Sequence, residues 1–148
     1  FGVSYFQNNE IIVDKTTILD NLPMKINDAN INFDRILTIY SWGIKKDKKS
    51  VDCDIIFDLT KFQTKIDKDI DVHTITGLTD IIQDSVIRHP KFLELIETVV
   101  DNIETMNPKS VGFICNHGKH RSVAWAELIH QLYYKKSIIN HLCRKNWS

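Results

Sequence analysis

The period of the apolar positions changes repeatedly along this chain, and each change marks an element. Residues 91–106 carry Phe92, Leu95/Ile96, Val99/Val100 and Ile103 at i, i+3/4, i+7/8 and i+11, the spacing of a helix with one core-facing stripe. His89-Pro90 breaks the chain before this helix and Asn107-Pro108 after it. Residues 35–42 alternate and are rich in Ile, Leu and Tyr. Residues 53–59 and 111–114 form two more short apolar runs, and each of the three predicts a strand. Val123, Ala126, Ile129 and Tyr133 return to helical spacing, so a helix opens near Arg121 or Ser122. Thr76-Gly77-Leu78-Thr79 opens another over 80–88, with Thr79 as N-cap, and residues 137–143 predict a last strand. Between these elements, 44–50 reads as an exposed lysine-rich loop and 63–76 as a polar excursion. Residues 1–34 show no sustained period. Ile11-Ile12-Val13 fits a short strand, and turn signals fall at 20–23 and 27–30. That segment reads as an N-terminal extension ahead of a domain over 35–148. The alternation of strands and helices predicts an α/β fold: one domain, with a mainly parallel sheet flanked by helices.

The stretch most informative about chemistry is 110–136. Its apolar strand runs into Cys115-Asn116-His117-Gly118-Lys119-His120-Arg121-Ser122 and then into a helix. A strand, a tight polar loop and a helix N-terminus build an anion site. First-turn amides lack partners inside the helix, and the helix dipole adds partial positive charge at the same end. Lys119, His120 and Arg121 place side-chain charge beside those amides. The competing reading is a basic turn that only starts a helix. Strand ends border ligand sites in open α/β sheets, which adds Asp58 and Thr60 at the end of the 53–59 run as candidates.

Two patterns overlap in the loop. Cys115-x5-Arg121-Ser122 with Gly118 between has the spacing of a cysteine phosphatase, in which amides cradle a thiolate and an arginine grips two phosphate oxygens. Ile114 stands where such enzymes usually carry His, and no motif places a general acid; Asp58 or an aspartate from the 67–71 loop would have to serve. The second pattern is closer. Asn116-His-Gly-Lys-His-Arg-Ser-Val123 after a strand ending in Cys115 resembles the Cys-x-Gly-Gly-x-His-Arg-Ser-Val loop of the RapZ C-terminal domain family. Ile36-Leu-Thr-Ile-Tyr-Ser-Trp-Gly-Ile-Lys45, Val51-Asp-Cys-Asp-Ile-Ile-Phe-Asp-Leu-Thr60, Thr76-Gly77-Leu78-Thr79 and His141 to Arg144 are similar to further segments of that family, in order, over about residues 35–146. The resemblance implies a regulatory domain whose pocket recognises a small phosphorylated metabolite, of amino-sugar phosphate type, with RNA or protein partners in some members. It places the Thr76-Gly77 turn by the pocket. The chain departs from the family after Asp58, where Thr60 replaces an arginine and an Asn-Pro pair is missing.

Composition narrows the alternatives. The 148 residues carry no formal net charge, so any nucleic-acid contact needs a local patch. An RNA-binding adaptor, working through the lysine loop and homo-oligomerisation, is therefore the third reading behind ligand binding and phosphatase chemistry. Three cysteines, an odd number without Cys-x-x-Cys, point to reduced thiols and a cytoplasmic setting. No apolar run of membrane-spanning length occurs, so no membrane partner is expected. His117 and His120 lack a third ligand close by, and no metal or other cofactor is expected. No Gly-x-x-x-x-Gly-Lys-Ser/Thr loop is present to hydrolyse nucleoside triphosphates, although a nucleotide's phosphate remains within the ligand class.

Overall fold

A computed structural model describes residues 5–7, 10–12, 22–26, 29–45 and 52–147. Two short antiparallel pairs come first: β1 (Tyr5–Gln7) with β2 (Glu10–Ile12), and β3 (Lys25–Ile26) with β4 (Ala29–Asn30). The strand expected at Ile11-Ile12-Val13 forms over Glu10–Ile12, and Val13 lies outside the described residues, as do 20–21, 27–28 and 46–50 of the expected turns and loop. Part of the N-terminal segment packs on the body of the domain. Ile31 is buried in the core, Asn32 N–H donates to Glu104 Oε1 at 2.8 Å, and Tyr133 Oη–H donates to the Pro23 carbonyl at 2.9 Å.

The main sheet is α/β in type, with four parallel strands. β5 (Thr38–Gly43), β6 (Ile55–Asp58), β7 (Ser110–Cys115) and β8 (Ile138–His141) lie in the order β6-β7-β5-β8. Three helices accompany them among the described residues: α1 (Asp80–Ile87), α2 (Phe92–Met106) and α3 (Arg121–Leu132). Strand periodicity sorts the sheet into two faces. Ile39, Val111 and Phe113 look into the core formed with Val86, Phe92, Ile96, Val100 and Trp125 from the three helices. The other face carries Trp42, which lies over Gly112, and the exposed Ile56 and Ile138. The stripe expected on α2 forms: Phe92, Ile96, Val99, Val100 and Ile103 have no exposed surface, while Leu95 is half-buried at its edge. Each such side chain contributes roughly 1.5–3 kcal/mol of burial free energy. α2 ends at Asn107, whose φ of 51° is the left-handed conformation that asparagine tolerates at a helix end.

α3 stops at Leu132, four residues short of the end of the 110–136 stretch expected to hold the strand, loop and helix. The Tyr133 and Tyr134 amides both donate to the Ile129 carbonyl, which breaks the helical ladder. The break turns both rings inward, and Tyr134 Oη–H donates to Glu104 at 2.8 Å. Burial, and for Tyr134 the Glu104 carboxylate as well, pushes both phenols well above the usual tyrosine range. Thr79 occupies the N-cap of α1, but its hydroxyl donates back to the Thr76 carbonyl at 2.6 Å instead of capping a helix amide.

Candidate functional site

β5 and β7 are neighbours whose onward connections diverge: β5 leads to β6 on one flank of the sheet, and β7 leads through α3 to β8 on the other. Carboxyl ends of adjacent strands with diverging connections are where open α/β sheets place their ligands. The 116–120 segment leaves β7 at this point. It is pressed against β5: a side chain at Gly43 would begin 2.3 Å from the His117 carbonyl carbon and 2.4 Å from the Gly118 nitrogen. Only glycine permits that approach. Ile44 N–H donates to the Cys115 carbonyl (3.0 Å) and Lys45 N–H to the Asn116 carbonyl (2.9 Å), which extends the β5–β7 pairing into the loop. Gly118 itself has a φ of 68°, so the tight turn requires glycine there too.

The Thr76-Gly77 turn closes a second side. Gly77 N–H donates to the Lys119 carbonyl at 2.8 Å, and a Gly77 Cβ would sit 2.3 Å from the His120 carbonyl oxygen. Thr76 Oγ1 accepts from Leu78 N–H, so its hydroxyl shapes the turn. Inside the loop, Cys115 is buried. Its thiol donates to Ser122 Oγ (3.1 Å), and its sulfur accepts from Gly118 N–H (3.3 Å). The structure thus brings Cys115, Asn116, His117, Gly118, Lys119, His120, Arg121, Ser122, Thr76 and Gly77 into one neighbourhood.

The three basic side chains point along residues 59–75, the stretch that follows β6. Arg121 Nη1 donates to the carbonyls of Thr60 (2.9 Å), Leu59 (3.2 Å) and Phe62 (3.2 Å). Lys119 Nζ donates to the His73 carbonyl at 2.6 Å. His120 Nε2 lies 2.8 Å and 2.9 Å from the carbonyls of Val72 and Ile75. Two carbonyl acceptors oblige Nε2 to carry a proton, which leaves Nδ1 as the ring's other polar atom. His120 and Arg121 also line an open groove of about 320 Å³ with Gln63, Thr64, Ile66, Val72 and Ile82.

Asp58 stands apart from this cluster. It is exposed, its Oδ1 accepts from Thr60 N–H at 2.8 Å, and alternation along β6 turns it to the face opposite Phe57 and the helices. The Thr60 hydroxyl and amide hold its carboxyl below the usual aspartate range. Thr60 joins the site through its carbonyl, which accepts from Arg121.

Two contacts escape sequence reasoning altogether. Trp147 Nε1–H donates to the Gly118 carbonyl at 2.9 Å, and Cys143 Sγ lies beside Gly118. Both residues follow β8, whose carboxyl end is next to that of β5. Cys143 fell in the expected 137–143 strand and in the family-like 141–144 segment, whereas the strand stops at His141, and the signal for Trp147 was its position just beyond.

Fold and site together define a parallel α/β domain with a strand–loop–helix unit at the carboxyl end of its central strand. The RapZ C-terminal domain family matches residues 35–146, and the chain belongs to that family. Membership supports a regulatory or binding domain. No curated protein matches the chain. Among the described residues no helix is long and apolar enough to cross a membrane.

Proposed function

We propose that this domain binds a small phosphorylated metabolite, a phosphosugar or the phosphate of a nucleotide, at the 115–122 loop. The observation that carries the reading is the start of α3. Ala124 is the first helix amide bonded back along the chain, to His120, so the amides of residues 121–123 have no acceptor within the helix. They lie at the carboxyl end of the central strand, where the dipole of α3 favours an anion, with Ser122 and Val123 themselves buried. Arg121 Nη1 is committed to carbonyls, and the guanidinium's remaining N–H groups extend the donor set. In the cytoplasm such a domain would report the level of its ligand to an RNA or protein partner, as family membership suggests. The test is a thermal-shift panel of inorganic phosphate, an amino-sugar phosphate and nucleotides. A ligand at 100 times its dissociation constant adds about 2.7 kcal/mol to the fold. A panel without any shift overturns the reading.

One observation favours a second reading, phosphatase chemistry at Cys115. The sulfur accepts a loop amide and touches the Ser122 hydroxyl, as a nucleophile in a Cys-x5-Arg-Ser loop would. Against it, Arg121 Nη1 reaches toward residues 59–62, and Asp58 turns to the far face of the sheet. Binding is the better supported of the two.

A further inference from the structure

Ser41, His141 and Glu127 form a hydrogen-bonded chain across three elements. Ser41 Oγ lies 2.6 Å from His141 Nδ1, and His141 Nε2 lies 2.8 Å from Glu127 Oε2. A carboxylate accepts only, so Nε2–H points at Glu127, and Nδ1 meets the Ser41 hydroxyl. The order is that of a serine–histidine–acid triad, but Ser41 has no exposed surface and the His141 side chain is only 4% exposed. No substrate reaches this serine. The chain instead locks β5, β8 and α3 together and sets the plane of the His141 ring.

The Trp147 ring packs on His141, with centroids 5.6 Å apart, and Arg144 lies over the same indole at 5.8 Å. The N–H of that same indole donates to the Gly118 carbonyl. The C-terminal turn is held to β5 as well, by Leu142 N–H on the Ser41 carbonyl at 2.9 Å. An unbroken series of contacts therefore runs from Glu127 in α3 through His141 and Trp147 to the middle of the candidate loop.

We infer that Trp147 is a positioning residue for the 116–120 loop, and that the C-terminal turn is a further wall of the ligand site, after β5 and the Thr76-Gly77 turn. Its indole N–H sets the Gly118 carbonyl. A rotated Gly118 peptide would redirect the amide of Lys119 and the backbone leading to the first turn of α3. The effect on ligand affinity rests on the function proposed above; the effect on the loop does not.

The experiment has two arms, both comparing Trp147→Phe with the wild-type chain. Phenylalanine keeps a ring on His141 and removes the donor. In the ligand-free protein, amide hydrogen exchange across residues 116–120 should rise two- to tenfold, roughly the worth of one hydrogen bond, with the core of α2 unchanged. Unchanged exchange in the loop overturns the inference. In titrations with inorganic phosphate and an amino-sugar phosphate, affinity should fall by a similar two- to tenfold. Faster exchange with equal affinity would make Trp147 a structural clasp and overturn its positioning role. Faster exchange in a protein whose wild type binds neither probe would sink the proposed function and leave the loop contact standing. If Trp147→Phe loosens the whole fold, Glu127→Gln serves as the second variant. It weakens the support of His141 without touching Trp147, and should raise loop exchange in the same direction by a smaller factor.

Discussion

Arg121 Nη1 lies 2.9 Å from the carbonyl oxygen of Thr60, so the residue proposed to grip a phosphate is also a brace for the turn after β6. This double duty shapes the first prediction. Arg121→Ala leaves the carbonyls of Leu59, Thr60 and Phe62 without their donor, and should lower stability by about 1–3 kcal/mol even without ligand. Arg121→Lys keeps the charge but not the planar fork that reaches several oxygens at once. It should recover part of the stability and little of the ligand-induced thermal shift. Denaturant midpoints with and without an amino-sugar phosphate separate the two effects. A lysine variant with the full wild-type shift would show that Arg121 only braces.

The Thr76-Gly77 turn offers a sharper steric test. A methyl group on Gly77 would meet the His120 carbonyl oxygen at 2.3 Å and the Ala124 nitrogen at 2.4 Å. Both are backbone atoms at the start of α3, so neither can swing aside. Gly77→Ala should cost at least the roughly 1–3 kcal/mol of ordinary overpacking and should displace the loop. A urea unfolding curve superimposable on wild type would mean that the turn and the helix do not meet in this way.

How much of this was legible in the sequence follows from contact range. The stripe on α2, the Asn107-Pro108 stop and the strands around Ile39 and Phe113 are local patterns, and they formed where the periodicity put them. The strand–loop–helix geometry around 116–120 was legible because glycine, basic residues and a helix start fall within a few residues. What surrounds it was not. The contact from Trp147 to Gly118 joins residues 29 apart, and that from Arg121 to Thr60 joins residues 61 apart. No spacing rule reaches that far. Asp58 shows the opposite failure. Its place at a strand end suggested a ligand, whereas strand alternation turns its carboxylate to the face away from the helices, where it caps its own turn. The early end of α3 at Leu132 was hidden because Tyr133 continues the helical spacing, while the pull of Glu104 and Pro23 on the two tyrosines is non-local.

Acid should loosen the attachment of the N-terminal segment through Glu104. Burial alone would raise its pKa. Arg35, the Asn32 amide and the Tyr134 hydroxyl together outweigh that and hold the carboxyl below its ordinary value of 4.5. A depressed folded-state pKa means that the unfolded chain binds the proton first. The stabilisation is therefore fully present above about pH 4.5, the unfolded value, and is lost as pH falls through the lower folded value. Stability measured from pH 6 to pH 3 should decline, and Glu104→Gln should flatten the decline while lowering the plateau. Asp58 is shifted in the same direction but is exposed, so solvent screens its share. Parallel curves for wild type and Glu104→Gln would remove Glu104 as the source.

The last prediction concerns Cys115, where binding and phosphatase chemistry part. A nucleophilic cysteine needs a thiolate at neutral pH and a path for the phosphate to reach it. Here Cys115 is 3% exposed, its thiol donates to Ser122 Oγ and its sulfur accepts from the Gly118 amide, with Cys143 beside Gly118 in turn. Iodoacetamide at pH 6 should leave Cys115 unlabelled in the native protein. Cys53 is the half-buried one of the three cysteines, and it should react first in spite of a thiol pKa raised by desolvation and by Asp52 and Asp54. Cys115→Ser should keep the hydroxyl contact to Ser122 in a slightly smaller side chain. The expected result is a loss of about 1 kcal/mol in stability with an unchanged affinity for an amino-sugar phosphate, and no turnover of p-nitrophenyl phosphate in either protein. Rapid labelling of Cys115, together with turnover in the wild type that vanishes in the serine variant, would establish the loop as a catalytic one. It would also require Arg121 to leave the Thr60 carbonyl and swing toward the sulfur when substrate enters.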